Sequence, residues 1–220
     1  MADKYGSFAE LASNEAHGTD YRVMALERPH SPVFIVAPHG GTIEVGTSEL
    51  AGSIAGDEHS LFTFDGLKPW GRNRDLHITS HCFDHPHCLE LAARSAVTLG
   101  IHGCRGDSQV FVGGLDTELS ELLARRLCAA GFPASCEGHR YLGRNPLNVC
   151  NRGRRQRGAQ LEFTMDFRQP RARAQIAPVV RSALREHVAS LSTGSSASIQ
   201  KHHPLQPADS ATHRSIFNTG

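Results

Sequence analysis

The chain has 220 residues with 23 basic and 22 acidic side chains, a formal net charge of +1. This balance gives no general attraction to nucleic acid or to an anionic membrane. Hydrophobic residues make up 39% of the sequence, and no apolar run approaches the length that spans a bilayer. The composition therefore indicates a globular protein, long enough for one domain with a substantial core.

The amino terminus and the cysteines bear on the compartment. The first residues, Met-Ala-Asp-Lys-Tyr-Gly, lack the basic and apolar regions of a secretory signal peptide. The six cysteines would permit disulfides, but the chain is long for a fold that depends on them. We therefore expect a cytoplasmic protein with mostly reduced thiols; release by cell lysis would leave no trace in the sequence.

Short apolar runs alternate with amphipathic segments along the chain. The pattern predicts strands near residues 21–26, 33–37, 61–64, 76–79, 96–101 and 159–165, and helices near residues 47–55, 86–96, 116–131 and 175–191. This alternation predicts an α/β fold with three layers, in which helices cover both faces of a mostly parallel or mixed sheet. Ligands of such sheets bind at the carboxyl ends of the strands.

The composition changes after Leu191. Residues 192–220 are rich in Ser, His and Pro and show no apolar periodicity. A segment of this kind cannot bury enough apolar surface to offset the entropy of ordering it. We therefore expect a single domain over residues 1–191 and a disordered tail over residues 192–220.

Two of the predicted strands end in histidine. The run 33–37 leads into Pro-His-Gly-Gly, which places His39 at a strand end with Glu44 five positions later. A second apolar run ends at His102, and a third contains Glu162. A lone histidine at a strand end is often a hydrogen-bonded structural residue, but the recurrence favours a metal. Two histidines, one glutamate and a further glutamate are the composition of a catalytic zinc site with a separate base.

Several segments together carry a family resemblance. In chain order they are Pro38–Glu44, Gly46–Ala51, Leu76–Ser80, Phe83-Asp84, Ile101–Gly103, Gly113–Asp116 and Gln160–Glu162. As a set they resemble the poly-γ-glutamate hydrolase family, whose best known members are phage enzymes. The resemblance covers roughly residues 5–168, and the set is specific although each motif alone is not.

The resemblance implies a zinc carboxypeptidase-like core that hydrolyses the γ-glutamyl amide bonds of poly-γ-glutamate with one Zn²⁺ per chain. By position it implies His39, Glu44 and His102 as the metal ligands and Glu162 as the catalytic carboxylate. The chain departs from the family pattern at residues 83–86, which read Phe-Asp-His-Pro instead of Phe-Asp-Glu-Pro. Any role of that glutamate is lost here.

Arginines between the ligand segments are candidates for substrate binding. Arg72 and Arg74 lie between Glu44 and His102 in the sequence. Metallocarboxypeptidases and related acylases place arginines in this interval to hold a substrate carboxylate or an oxyanion. A guanidinium can bind a carboxylate through two hydrogen bonds, which suits the free α-carboxylates of γ-linked glutamate.

Two further clusters have competing explanations. Residues 81–88 hold three histidines and two cysteines besides other polar residues, which fits either a second metal site or a polar loop near the active site. The arginine-rich run 152–157 could face nucleic acid, a polyanionic substrate or solvent. The balanced charge of the chain argues against nucleic acid.

Three functions remain open at this point. The first is a zinc amidohydrolase that cleaves poly-γ-glutamate with Glu162 as general base. The second is a zinc deacylase or carboxypeptidase acting on a small N-acyl amino acid. The third is a non-catalytic zinc-containing module that binds an anionic polymer, against which Glu162 argues because binding needs no base. We expect neither a nucleic acid nor a membrane as partner, and the sequence does not determine the oligomeric state.

Overall fold

The structure, a computed structural model, describes residues 3–197. Its strands are β1 (Tyr21–Leu26), β2 (Val33–Gly41), β3 (Ser60–Gly66), β4 (Val97–Gly103), β5 (Val110–Gly114), β6 (Ala134–Ser135) and β7 (Ala159–Phe163). Its helices are α1 (Phe8–Asn14), α2 (Thr47–Ala55), α3 (Pro86–Arg94), α4 (Thr117–Ala129) and α5 (Pro170–Ala197). Short 3₁₀ turns cover Asn73–Leu76, Val149–Asn151 and Asp166–Arg168.

The seven strands form one mixed sheet in the order β1-β3-β2-β4-β7-β5-β6. The central strands β3, β2, β4 and β7 run parallel, whereas β1 pairs antiparallel with β3 and β5 pairs antiparallel with β7. The short strand β6 pairs parallel with β5. The carboxyl ends of the parallel strands therefore share one edge of the sheet, where a ligand site is expected. The predicted α/β class with a mostly parallel or mixed sheet is confirmed.

Helices cover both faces of the sheet, which gives the predicted three layers. Side chains alternate along β2, so that Val33, Ile35 and Ala37 pack in the core that includes α2, α4 and α5. Phe34 and Val36 pack in the opposite core with residues of α1 and α3. Because β2 is buried on both faces, its sequence is continuously apolar up to His39, near its carboxyl end.

The strand predictions differ from the structure in two places: one predicted strand does not form, and β5 was not predicted. Residues 76–79 follow a 3₁₀ turn and pair with no strand, although Leu76 and Ile78 are buried. Their alternate burial against the core imitates the periodicity of a strand. The sequence pattern missed β5 because Gly113 and Gly114 resemble a loop. At Gly113 a Cβ atom would lie 2.5 Å from the carbonyl oxygen of Tyr141, so the strand needs glycine for this close approach.

Helix α5 continues to Ala197, beyond its predicted end at Leu191. The first residues of the predicted tail are thus helical. The remainder, residues 198–220, lies outside the described part of the chain. Among the described residues, no helix combines the length and the apolar character that crossing a membrane requires.

Asp116 caps α4, as the sequence predicts. One carboxylate oxygen accepts a hydrogen bond from the N–H of Leu119 at 3.2 Å. The other accepts from Arg155 Nη1 at 2.6 Å and lies 3.2 Å from His187 Nε2. Burial alone would raise the pKa of Asp116, but the hydrogen bond and charge of His187, with Leu119 and Arg155, hold it at about 2. This buried cluster ties α4 to α5.

We expect Asp116→Ala to lower the free energy of unfolding by about 3–5 kcal/mol near neutral pH, because it leaves partly buried Arg155 and buried His187 without their carboxylate. The folded pKa of Asp116 lies below its ordinary value of 3.8, so its stabilising contribution is complete above pH ~4 and is lost as the pH falls toward 2. Urea unfolding of both proteins at several pH values measures this. Asp116→Asn, which keeps the cap but not the charge, is the control. A wild-type advantage that stays constant from pH 4 to pH 2 would contradict the assignment.

Candidate active site

The ring of His39 is fixed at the carboxyl end of β2. Its Nε2 donates a hydrogen bond to the carbonyl oxygen of Ile78 at 2.8 Å. Since a carbonyl only accepts, Nε2 carries a proton, and Nδ1 is the nitrogen that holds the lone pair whenever the ring is neutral. That atom lies 3.2 Å from Glu44 Oε1 and 3.2 Å from Nδ1 of His102. The contact with the Ile78 carbonyl therefore turns Nδ1 of His39 toward both Glu44 and His102.

Short hydrogen bonds fix the turn that carries Glu44. The N–H of Glu44 donates to the carbonyl oxygen of His39 at 2.9 Å, and Thr47 Oγ1 donates to the carbonyl oxygen of Glu44 at 2.8 Å. Gly41, at the end of β2, has a φ of +61°, a backbone conformation that favours glycine and lets the chain turn toward Glu44. The N–H of Gly103 donates to Glu44 Oε2 at 2.7 Å. The carboxylate is thereby held against the end of β4.

His102 and Glu162 are partners in the parallel register of β4 and β7. Both are buried, at 2% and 8% exposure, and both line the cleft at this edge of the sheet. The neighbours of Glu162, Leu161 and Phe163, pack in the core on the other face, as the alternation of a strand requires. Gln160 Nε2 donates to Glu162 Oε1 at 3.2 Å.

Burial and mutual charge shift the pKa values of this cluster in different directions. Burial and the neighbouring charge of His39 lower the pKa of His102 to about 3. Burial alone would raise the pKa of Glu44, but the charges of the two histidines and the Gly103 hydrogen bond outweigh it and hold the pKa at about 2. Desolvation and the negative charge of Glu44 raise the pKa of Glu162 well above its usual range. The two carboxyl groups thus differ strongly in proton affinity, as a metal ligand and a general base would.

The donor set fits a zinc ion. Zinc bonds of about 2.0–2.1 Å in tetrahedral geometry place ligand atoms roughly 3.3 Å apart. The separations in this cluster are 3.2 Å for His39 to Glu44, 3.2 Å for His39 to His102 and 3.9 Å for Glu44 to His102. The Ile78 carbonyl bonded to Nε2 of His39 is the outer partner that ligating histidines usually have. The predicted ligands His39, Glu44 and His102 therefore converge, with Glu162 on the adjacent strand.

His77 also belongs to this cluster, and sequence reasoning gave it no role. Its ring stacks on His39 with 4.1 Å between centroids, and it offers a ligand atom within 4.8 Å of those of His39 and Glu44. Its Nδ1 bonds Asp3 Oδ1 at 2.7 Å, and Asp3 also accepts from the N–H and Oγ1 of Thr79 at 2.6 Å. The signal in the sequence was the family motif Leu76–Ser80, in which His77 stands.

The cleft has a volume of about 490 Å³ and is walled by arginines. Arg105, Arg140 and Arg144 line it, and none of the three has a carboxylate oxygen within 4.0 Å among the residues whose side chains are described. Arg140 instead lies over the ring of Tyr141. The exposed residues Arg72 and Arg74, which the sequence suggested for substrate binding, are not among the lining residues.

The other two clusters do not assemble in the cleft. His81 lines it, but His85 packs against Phe8, His87 bonds Glu27 and Cys88 is buried in the core, so residues 81–88 do not converge on a second metal. The arginine-rich run 152–157 lies at the opposite edge of the sheet, because the N–H of Arg154 donates to the carbonyl oxygen of Ser95, just before β4 begins. It therefore forms no part of the cleft.

Comparison with known proteins agrees with this architecture. The family model described as poly-gamma-glutamate hydrolase matches residues 5–173. The UPF0714 protein YndL of Bacillus subtilis (strain 168) is 39% identical over 169 residues, which are 76% of this chain and 66% of YndL. The SPbeta prophage-derived UPF0714 protein YoqZ of the same strain is 38% identical over 170 residues, which are 76% of this chain and 61% of YoqZ. The match thus spans less than two thirds of either relative.

Solved structures show the same fold. A bacteriophage poly-gamma-glutamate hydrolase superposes with a TM-score of 0.80 and 28% identity, over 86% of this chain and 99% of the phage chain. A zinc-free apo form of YndL superposes with a TM-score of 0.78 and 34% identity, over 84% of this chain and 98% of the YndL chain. A structure assigned as a carboxypeptidase A from Shewanella denitrificans OS-217 superposes with a TM-score of 0.53 and 12% identity, over 74% of this chain and 59% of that chain. At this identity the likeness shows the fold alone.

The structure places the chain in the class of carboxypeptidase-like α/β folds, with a cleft at the carboxyl ends of parallel strands. Within this class the match over residues 5–173 is decisive. The chain belongs to the poly-gamma-glutamate hydrolase family, a family of amide-bond hydrolases.

Proposed function

We propose that the protein is a zinc-dependent amidohydrolase that cleaves the γ-glutamyl amide bonds of poly-γ-glutamate. The observation that carries the proposal is the convergence of His39, Glu44 and His102 within 3.2–3.9 Å of one another, with Glu162 on the adjacent strand. Three ligands of this type leave a coordination position open for water, as in catalytic zinc sites. Family membership supports the substrate.

In this proposal His39, Glu44 and His102 hold one zinc ion, which supplies an activated water and an electrophile for the amide carbonyl when bound. Glu162 accepts a proton from the attacking water and passes it to the leaving nitrogen, so that one water and one amide give a carboxyl group and an amine. Its raised pKa favours the first of these two transfers, because a stronger base takes the proton more readily. Gln160 orients the carboxyl group through its hydrogen bond to Oε1.

The arginines of the cleft support a polyanionic substrate. Every residue of γ-linked glutamate keeps a free α-carboxylate, and a guanidinium binds a carboxylate through charge-assisted hydrogen bonds. We propose that Arg140 and Arg144 hold substrate carboxylates on either side of the bond that is cut. Both are exposed at the mouth of the cleft, so an extended chain can reach them.

A matched pair of double variants tests this assignment. We expect Arg140→Ala/Arg144→Ala to raise KM for poly-γ-glutamate roughly 10-fold or more, since a hydrogen bond to a charged group contributes about 1.5–3 kcal/mol. Arg72→Ala/Arg74→Ala removes the same charge outside the cleft and should change KM less than about threefold, as screened surface charges do. Initial rates against polymer concentration measure both. If the Arg72/Arg74 variant has the larger effect, the arginines suggested by the sequence bind the substrate instead.

The length of the products distinguishes the alternative functions. Purified protein loaded with zinc should shorten poly-γ-glutamate, measured by viscosity and gel filtration, and should leave a small N-acyl glutamate nearly unchanged. Cleavage of the small compound alone would identify a deacylase or carboxypeptidase. Polymer binding without any change in chain length would identify a non-catalytic module. Metal analysis of the same sample tests the expectation of one zinc per chain.

A further inference from the structure

Arg168 is buried behind the cluster that carries the proposed metal ligands. It ends the 3₁₀ turn that follows β7 and is 6% exposed. Its Nη1 donates to the carbonyl oxygen of Val45 at 2.5 Å, and its Nη2 donates to that of Cys104 at 3.4 Å. Val45 directly follows Glu44, and Cys104 lies two residues after His102. One guanidinium therefore joins the turn after β7 to both ligand-bearing segments.

Two glycines bring the backbone onto the Arg168 side chain. A Cβ atom on Gly103 would lie 2.5 Å from Nη1 and 2.6 Å from Cζ of Arg168. A Cβ atom on Gly46, whose φ is +92°, would lie 2.9 Å from Cβ of Arg168. Gly103 is also the residue whose N–H holds Glu44 Oε2. A shift of the guanidinium would therefore move Gly103 and, through the hydrogen bond from its N–H, the Glu44 carboxylate.

The charge of Arg168 is incompletely compensated. Within the described part of the chain no carboxylate oxygen lies within 4.0 Å of it, and its buried Nε has no hydrogen-bond partner. Arg155, in contrast, is paired with Asp116 at 2.6 Å. Burying a guanidinium without a paired carboxylate costs stability, so packing alone does not account for an arginine at this position.

We propose that Arg168 is a positioning residue for the metal site. By holding the carbonyl groups of Val45 and Cys104, it keeps Glu44 and His102 at the separation that zinc requires. This inference rests on the proposed function, because it presupposes zinc at that cluster. The guanidinium donates to the two carbonyls from two nitrogens held in one plane, whereas lysine has a single nitrogen on a flexible stem.

Zinc affinity, measured by competition with a chromogenic chelator, tests the proposal without recourse to activity. We expect Arg168→Gln and Arg168→Lys each to raise the zinc dissociation constant by about 10–100-fold, the usual effect of losing an outer partner of a metal ligand. Arg168→Lys keeps the charge and most of the volume, so it remains informative if Arg168→Gln fails to fold. Gly103→Ala, which displaces the guanidinium without removing it, should weaken zinc binding in the same direction.

Arg155→Gln is the matched control, because it removes a partly buried arginine at the opposite edge of the sheet. It should lower Tm yet leave the zinc dissociation constant within about twofold of the wild type. Such a result would show that a general loss of stability does not by itself weaken zinc binding, so that weaker binding in the Arg168 variants reflects the metal site. Wild-type affinity in folded Arg168→Lys would overturn the proposal. If the wild-type protein itself binds zinc no better than a His39→Ala variant, the proposed function fails instead.

Discussion

Glu162→Gln should lower turnover of poly-γ-glutamate by about 10²–10⁴-fold while leaving the zinc content unchanged. The substitution keeps the shape of the side chain and its contact with Gln160 but removes the group that accepts the water proton. General-base catalysis typically contributes a factor of this size. Glu162 lies on the strand beside His102 and lines the cleft, so the loss falls on the chemical step and not on the fold.

Steady-state rates and metal analysis on the same preparations measure this result. Glu121→Gln, at an exposed position on α4, is the control for the loss of one negative charge and should keep wild-type turnover. Loss of zinc together with activity in Glu162→Gln would make Glu162 a ligand and require Glu44 to be reassigned. Near-normal activity with normal zinc would reject the hydrolytic mechanism.

His102→Phe should weaken zinc binding by at least about 100-fold. A protein zinc site contributes about 10–16 kcal/mol, which over four ligands is roughly 3 kcal/mol for each. His77→Phe is the matched variant, since it keeps a ring that can stack on His39 but also removes a possible ligand atom. We expect it to change zinc affinity less than about tenfold, because His77 already bonds Asp3 and lies outside the proposed ligand set.

Chelator competition on both variants decides between the two histidines, and circular dichroism melts confirm that each protein is folded. The structure brings both to His39, with His102 Nδ1 at 3.2 Å and the ring of His77 at 4.1 Å between centroids. A large loss in His77→Phe with little change in His102→Phe would make His77 the third ligand. Equal and large losses would indicate a site with three histidines.

Local patterns were enough to predict most of the fold. The buried strand before His39 is continuously apolar, and the buried strand before His102 is apolar except for Thr98. Asp116 with the leucine stripe after it defines α4. The predictions fail where burial occurs without strand pairing, as at residues 76–79, and where a strand contains glycines for close packing, as in β5. These features depend on segments distant in sequence, which periodicity does not register.

The sequence by itself determined the chemistry of the candidate site, because His39, His102 and Glu162 belong to strands whose ends meet wherever the strands run parallel. Glu44 was also a candidate from the sequence, five positions after His39, and the family resemblance implies the same ligands. Only the tertiary structure placed His77 and Asp3 beside His39, and arginines from the loop after β6 in the cleft in place of Arg72 and Arg74. It also showed that Arg168 holds two backbone carbonyls. The path of a loop leaves no periodic pattern in the sequence, and neither does a contact to a backbone carbonyl, because every residue has one. Which loop residues and which carbonyls meet is therefore decided only by the tertiary structure.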